Sequence, residues 1–211
     1  PDPDGGEPGA LLLAAVRDGG LELLPWSETD RQWRARAAYA RLTCLDDATL
    51  LERLDDWLAP ALKGQRRMAA LGEGGRLTQA LCSLLDWPAM QVLERVAPAH
   101  FTTPAGSTHA IDYGAEAGPT VTARVQAFFG LDRHPAIGTP PVPLVLSLTS
   151  PAGRPIQTTR DLPGFWRGSW ADVQRDMRGR YPKHPWPDAP WEAAATLRTK
   201  RADAAKAARG N

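Results

Sequence analysis

The chain has 211 residues, of which 43% are apolar and 23% charged, a composition typical of soluble globular proteins and sufficient for one large or two small domains. No apolar run approaches the roughly 20 residues that span a bilayer. The formal net charge is only +1, but residues 154–211 carry twelve Lys and Arg against six Asp and Glu. This basic end favours a polyanionic partner or an acidic protein face.

The first 97 residues predict an all-helical module of four to five helices. Residues 1–9, PDPDGGEPG, are acidic and rich in Gly and Pro, which predicts a flexible linker. Ser27 and Asp30 are spaced as a capping box for a helix over residues 28–42. A further helix begins at the acidic pair before Ala48, and a Gly-rich loop is expected at 71–75. The helix after this acidic pair has an apolar stripe at helical spacing, which consists of Leu50, Leu51, Leu54, Trp57 and Leu58.

The pattern changes after Pro98. FTTPAGSTHAIDY alternates around a Pro-Ala-Gly turn and predicts a β-hairpin over residues 99–113. Val121, Val125, Phe128 and Phe129 predict a short helix that ends at Gly130. VPLVLSLTS and RPIQTT then predict two strands joined by a turn. The fold class is therefore α+β: a helical module, followed by a small mixed module with a hairpin and a terminal amphipathic helix.

The segment Arg160–Pro187 combines helix signals with basic and aromatic residues. Asp161 predicts an N-cap with Pro163 in the first turn, and the pair Ser169 and Asp172 resembles a capping box for a second helix. Gly179 suits the residue after that helix. An apolar stripe runs through the segment and comprises Phe165, Trp166, Trp170, Val173 and Met177. Three prolines after Gly179 favour an extended basic arm.

Residues 188–211 are rich in Ala, Lys and Arg and predict a disordered basic tail. The predicted organisation is a linker at 1–9, a helical module at 10–97, a mixed module with the arm at 98–187, and this tail.

The sequence contains no phosphate-binding loop, since the dipeptide Gly-Lys is missing altogether. Its four histidines are scattered without metal-ligand spacing, and the isolated Cys44 and Cys82 are expected to be buried free thiols. We therefore expect no catalytic site, metal or cofactor in this chain.

The segment DLPGFWRGSWADVQRDMRGRYPKHPWPDAP closely resembles the closing segment of HrpB-type DExH-box ATP-dependent helicases. Upstream pieces fit the same family, so the resemblance covers about residues 10–198: LELLPW, ERLDDWLAPAL, PAHFTTPAGSTHAIDY, VQAFFGL and VPLVLSLTSPAGRPIQTTRDL. The resemblance implies an accessory C-terminal part of a longer cytoplasmic helicase of bacteria. It further implies that motor domains upstream bind ATP and magnesium, and that the parent acts on nucleic acid, most plausibly RNA.

Interleaved basic and aromatic residues are the candidate contacts to single-stranded nucleic acid or to the motor domains, because cations neutralise phosphates and aromatic faces stack bases. They are Arg160, Arg167, Arg175, Arg178, Arg180, Tyr181, Lys183, His184 and Trp186. In the competing interpretation, Phe165, Trp166 and Trp170 are core anchors and the Pro-rich arm is strapped across its own domain.

Two other functions stay open at this point. The basic arm could make the chain a protein-interaction platform that docks an acidic surface. A self-standing enzyme with a site assembled from distant residues is the third possibility. Competition by single strands and a strong dependence on salt would indicate nucleic acid instead of protein.

Overall fold

This computed structural model describes residues 7–199 and 201–202. The regular elements between Pro8 and Val96 are all helical, and the first strand of a sheet begins after Pro98. The boundary between two structural units lies between Ala97 and Pro98. The α+β class is confirmed.

The helical unit contains six α-helices within its described residues. They are α1 (Pro8–Gly19), α2 (Glu28–Tyr39), α3 (Asp47–Glu52), α4 (Leu54–Leu62), α5 (Arg76–Cys82) and α6 (Trp87–Val96). Four members of the predicted apolar stripe are buried, Leu50, Leu54, Trp57 and Leu58, whereas Leu51 is exposed. The Trp57 indole N–H donates to the Leu50 carbonyl at 2.9 Å. Cys44 and Cys82 are free and half-buried, and burial raises the pKa of both thiols.

The Ser27–Asp30 capping box is confirmed, and its carboxylate does more than cap a helix. Asp30 is 1% exposed and accepts from the Ser27 backbone N–H at 2.9 Å, while the Asp30 N–H donates to the Ser27 hydroxyl. Its other oxygen accepts from the hydroxyl of Thr78 on α5. The N-terminus of α2 is therefore tied to α5 through one buried side chain.

Three predicted boundaries in this unit are wrong. Helix α1 already begins at Pro8, inside the predicted linker, because Pro is well suited to a first helical turn; the rest of that linker, 1–6, lies outside the described residues. Helix α2 ends at Tyr39. The helix predicted from Asp46 breaks at Arg53, whose ψ of 22° separates α3 from α4. The loop expected at 71–75 is present in part: it overlaps 3-10 turns over Met68–Gly75, but Glu73 and Gly74 have non-helical backbone angles.

The second unit is built on a five-stranded sheet with the order β1-β2-β3-β6-β7. Its strands are β1 (His100–Thr102), β2 (Thr108–Asp112), β3 (Thr120–Arg124), β6 (Val145–Thr149) and β7 (Pro155–Thr159), while β4 (Ala136–Ile137) and β5 (Val142–Pro143) pair separately. The β3–β6 pair is parallel and the others are antiparallel. The predicted hairpin and the β6–β7 pair are confirmed.

The helix predicted around Val121 is wrong, because Thr120–Arg124 forms the central strand β3. Val121 and Ala123 alternate inward with Thr122 and Arg124 outward, which is the period of a strand. A 3-10 turn, Val125–Phe128, follows at once and accounts for the helix-like spacing of its apolar residues.

The predicted tail is packed at its start. Gly130 donates its backbone N–H to the Pro190 carbonyl at 2.8 Å, and Thr196 donates to the Gln126 carbonyl at 3.3 Å. Pro190 is buried. The disorder prediction is therefore wrong as far as Thr196, while residues 200 and 203–211 lie outside the described part of the chain.

Candidate nucleic-acid interface

Two helices position the basic and aromatic segment, α7 (Leu162–Arg167) and α8 (Trp170–Arg180). The predicted cap on α7 is confirmed, since Asp161 accepts from the Gly164 N–H at 2.9 Å. His134 holds this end in place: its Nε2 lies 2.7 Å from the Leu144 carbonyl, and its Nδ1 accepts from the Leu162 N–H at 3.1 Å. Both bonds are satisfied by the tautomer with the proton on Nε2. Helix α7 therefore begins beside the start of β6.

The predicted signals around α8 are not realised. The Ser169 side chain makes no capping bond, and the helix continues through Gly179 to Arg180. A glycine inside a helix only weakens it by roughly 1 kcal/mol, and packing of Trp170 and Met177 on the buried face overrides that cost.

Aromatic side chains of this segment form a core. Trp170 is 2% exposed and lies 5.2 Å from Trp166, 5.6 Å from Phe129 and 6.2 Å from Trp186, measured between ring centroids. The anchor interpretation of Phe165, Trp166 and Trp170 is thus confirmed.

Trp186 belongs to the same core instead of the surface that the sequence indicated. It is 3% exposed, and its indole N–H donates to the Tyr181 carbonyl at 2.9 Å. Its ring face is not open to a base in this structure.

The Pro-rich arm is strapped back onto α8 by two side chains. The buried Gln174 amide donates to the carbonyls of Trp186 and Pro187 and to the Asp188 carboxylate at 2.7–3.1 Å. Arg178 donates to the Trp186 carbonyl and to Asp188, each at 2.8 Å. The hydrogen bonds from Gln174 and then Arg178 hold the pKa of Asp188 below its usual value. Arg178 therefore has a structural role.

The remaining candidates differ in how far they are free to bind. Arg175 and Arg180 pair with Asp172 and Asp176 at 3.1 and 2.9 Å on the exposed side of α8. Tyr181 and His184 are half-buried, and His184 Nδ1 is enclosed without a hydrogen-bond partner. Three cations are exposed and meet no acidic side chain within the described residues: Arg160, Arg167 and Lys183.

The structure separates candidates that the sequence grouped together. Arg160 follows β7, and its guanidinium approaches Gly118, just before β3 begins. Tyr181 accepts a hydrogen bond at 3.4 Å from the hydroxyl of Ser150, just after β6 ends. These are opposite ends of a parallel pair of five-residue strands, about 13 Å apart. We name them the amino edge, where β3 and β6 begin, and the carboxyl edge, where both end.

Sequence reasoning missed two exposed arginines at the carboxyl edge. Arg124 is the last residue of β3, and Arg154 follows the turn after β6. A strand assignment for Thr120–Arg124 from its alternating pattern would have revealed the first of them.

Other site types find no support in the part of the chain that the structure describes. It holds no group of three or more His, Cys, Asp or Glu side chains arranged to bind a metal. None of its helices has the length and hydropathy required to cross a membrane.

Comparison with known proteins identifies related chains. The family model HrpB_C, "ATP-dependent helicase C-terminal", matches residues 57–190. The ATP-dependent RNA helicase HrpB of Escherichia coli (strain K12) is 43% identical over 197 residues, which cover 90% of this chain and 24% of that protein. The chain thus spans about a quarter of the length of that relative.

Two solved structures share the fold. The E. coli DExH-box NTPase HrpB matches with a TM-score of 0.76 and 43% identity, over 89% of this chain and 24% of that one. The Escherichia coli DEAH/RHA helicase HrpB matches with a TM-score of 0.69 and 38% identity, over 88% and 24% of the two chains.

Proposed function

Because this chain belongs to the HrpB_C family of ATP-dependent helicase C-terminal regions, we propose that it is an accessory, non-catalytic part of a longer helicase. In this proposal it holds a single nucleic-acid strand, RNA in particular, while motor domains elsewhere in the protein bind ATP and magnesium. The cytoplasm of a bacterium is the expected location. The choice of RNA is supported by the similarity to HrpB of Escherichia coli, which is named as an ATP-dependent RNA helicase.

The observation that carries the proposal is the exposed positive charge of the second unit. Several cations of this unit are exposed and form no ion pair within the described part of the chain, among them Arg124, Arg154, Arg160, Arg167 and Lys183. Unpaired surface cations attract phosphates, and their binding releases condensed counterions.

The buried aromatic core determines the mode of binding that we propose. Trp166, Trp170 and Trp186 are only 2–3% exposed, so their ring faces are not available to stack bases. Their indole N–H groups donate to carbonyls inside the unit. Binding therefore depends mainly on phosphate contacts. Such binding has little sequence preference and weakens steeply with salt.

Fluorescence anisotropy with a short labelled oligouridylate tests the proposal. We expect the logarithm of the affinity to fall linearly with the logarithm of the salt concentration, by about 0.7 per phosphate contacted. Unlabelled single strands of any sequence should compete. An absence of binding at low salt, or binding that salt does not weaken, would overturn the proposal. Saturable binding of an acidic protein that single strands do not displace would favour the interaction platform.

A further inference from the structure

Cations from three separate chain segments meet at the carboxyl edge of the sheet. In the parallel pair, Arg124 at the end of β3 lies in register with Thr149 at the end of β6. Ser150 follows and closes the turn, since its N–H donates to the Arg154 carbonyl at 2.8 Å and its hydroxyl accepts from the Arg154 N–H at 3.2 Å. Arg124 and Arg154 therefore lie on either side of the end of β6, at the same edge of the sheet, although 29 residues lie between them in the chain.

Helix α8 brings the third segment to the same place. The Ser150 hydroxyl donates to the Tyr181 hydroxyl at 3.4 Å, which places the C-terminal end of α8 at the carboxyl edge. Arg180 and Lys183 flank Tyr181 in the chain and are both exposed. Since Gln174 and Arg178 fasten the segment that follows, the position of Lys183 is largely fixed before any ligand binds.

The charge at this edge is almost wholly positive. Arg124, Arg154 and Lys183 have no acidic partner in the part of the chain that the structure describes. Asp176, one turn before Arg180 on α8, already pairs with Arg180 at 2.9 Å. At the amino edge, by contrast, Asp112 lies in register with Thr120 at the start of β3, and Asp161 directly follows Arg160 in the chain.

We propose that the carboxyl edge, formed by Arg124, Arg154 and Lys183, is the surface that contacts the phosphates of a bound single strand. This inference rests on the proposed function and gives it a location. The partner is a single-stranded polyanion, because three cations on separate segments are spread along an edge instead of converging on one buried point. All three side chains are cations, which pair with phosphates, so contacts to the backbone predominate.

The double variant Arg124→Ala/Arg154→Ala tests the assignment with the same labelled oligouridylate. Two lost phosphate contacts should flatten the log–log salt slope by about 1.4 and weaken binding about tenfold or more at low salt. The variant Arg124→Lys/Arg154→Lys keeps both charges and should restore most of the affinity. That rescue separates loss of charge from loss of structure, which a thermal melt of each variant also monitors.

The matched control is Arg95→Ala/Arg133→Ala, which removes the same charge from α6 and from a loop at the amino edge. We expect its salt slope to be unchanged. Equal losses in the control and the carboxyl-edge variant, or no loss in the latter, would overturn this inference while leaving the proposed function intact. A wild-type chain that binds no oligonucleotide would overturn the proposed function and this inference with it.

Discussion

Trp57 and Trp87 lie in opposite environments within the helical unit, one buried and the other exposed. Trp57 is 1% exposed and Trp87 is 75% exposed. Trp57→Ala removes a buried aromatic and should lower the free energy of unfolding by about 3–5 kcal/mol. Trp87→Ala serves as the control and should stay within about 0.5 kcal/mol of the wild type. Urea denaturation measures both, and comparable losses in the two variants would contradict this account of the core.

Asp188 should make the second unit sensitive to acid. Its pKa is lowered in the folded state by the hydrogen bonds from Gln174 and Arg178. A lowered folded pKa contributes stability that is present above the unfolded value of about 3.9 and is lost as the pH falls through the folded value. Asp188→Asn should therefore be less stable than the wild type near neutrality, and the difference should shrink below about pH 4.

Urea midpoints across this pH range provide the measurement for Asp188. Asp132→Asn, a change of an exposed carboxylate with no ion pair in the described part of the chain, is the control. A difference between Asp188→Asn and the wild type that stays constant with pH would show that the charge of Asp188 does not stabilise the strap.

At the level of elements, two helix caps differ in how much they hold together. Asp86 is exposed and accepts from one N–H at the start of α6, so Asp86→Ala should cost about 1 kcal/mol. Asp30 is buried and bonds both the start of α2 and Thr78 on α5, so Asp30→Ala should cost about 3 kcal/mol because polar partners are left unsatisfied. Chemical denaturation measures the free energy of unfolding of both variants. Equal losses would show that Asp30 acts only as a helix cap.

The sequence predicts those features that depend only on residues close together within one helix or turn. The Ser27–Asp30 box, the Asp161 cap and the Leu50–Leu58 stripe can be read locally, and all three are present. Strand β3 was misread because its inward residues run without a break into a 3-10 turn, which imitates helical spacing. Gly179 was misread because packing of α8 overrides the local preference of glycine.

The candidate site was the least predictable feature, because its members are brought together by the sheet. No local pattern links Arg124 to Arg154; the β3–β6 register and the Ser150–Arg154 turn together place them at one edge of the sheet. The burial of Trp186 likewise depends on Gln174 and Arg178, which bind the backbone of a segment that reads as an exposed arm.

At the scale of the whole molecule, we predict that this chain binds and hydrolyses no ATP. The ground is its sequence, which has no phosphate-binding loop. Isothermal titration calorimetry with ATP and magnesium should give only heats of dilution. A saturable heat in the micromolar range would show that the chain carries a nucleotide site of its own.

The parallel pairing of β3 with β6 has a consequence for biosynthesis. The edge of β3 that pairs with β6 cannot form its hydrogen bonds until Val145 and the residues after it have been synthesised. The residues between the two strands form the 3-10 turn and the small β4–β5 pair instead. A nascent chain that has emerged only as far as β5 therefore exposes an unpaired strand edge, which is a template for intermolecular association. Ribosome-bound chains arrested before Val145 should bind a chaperone, and chains that extend beyond Thr159 should no longer bind it.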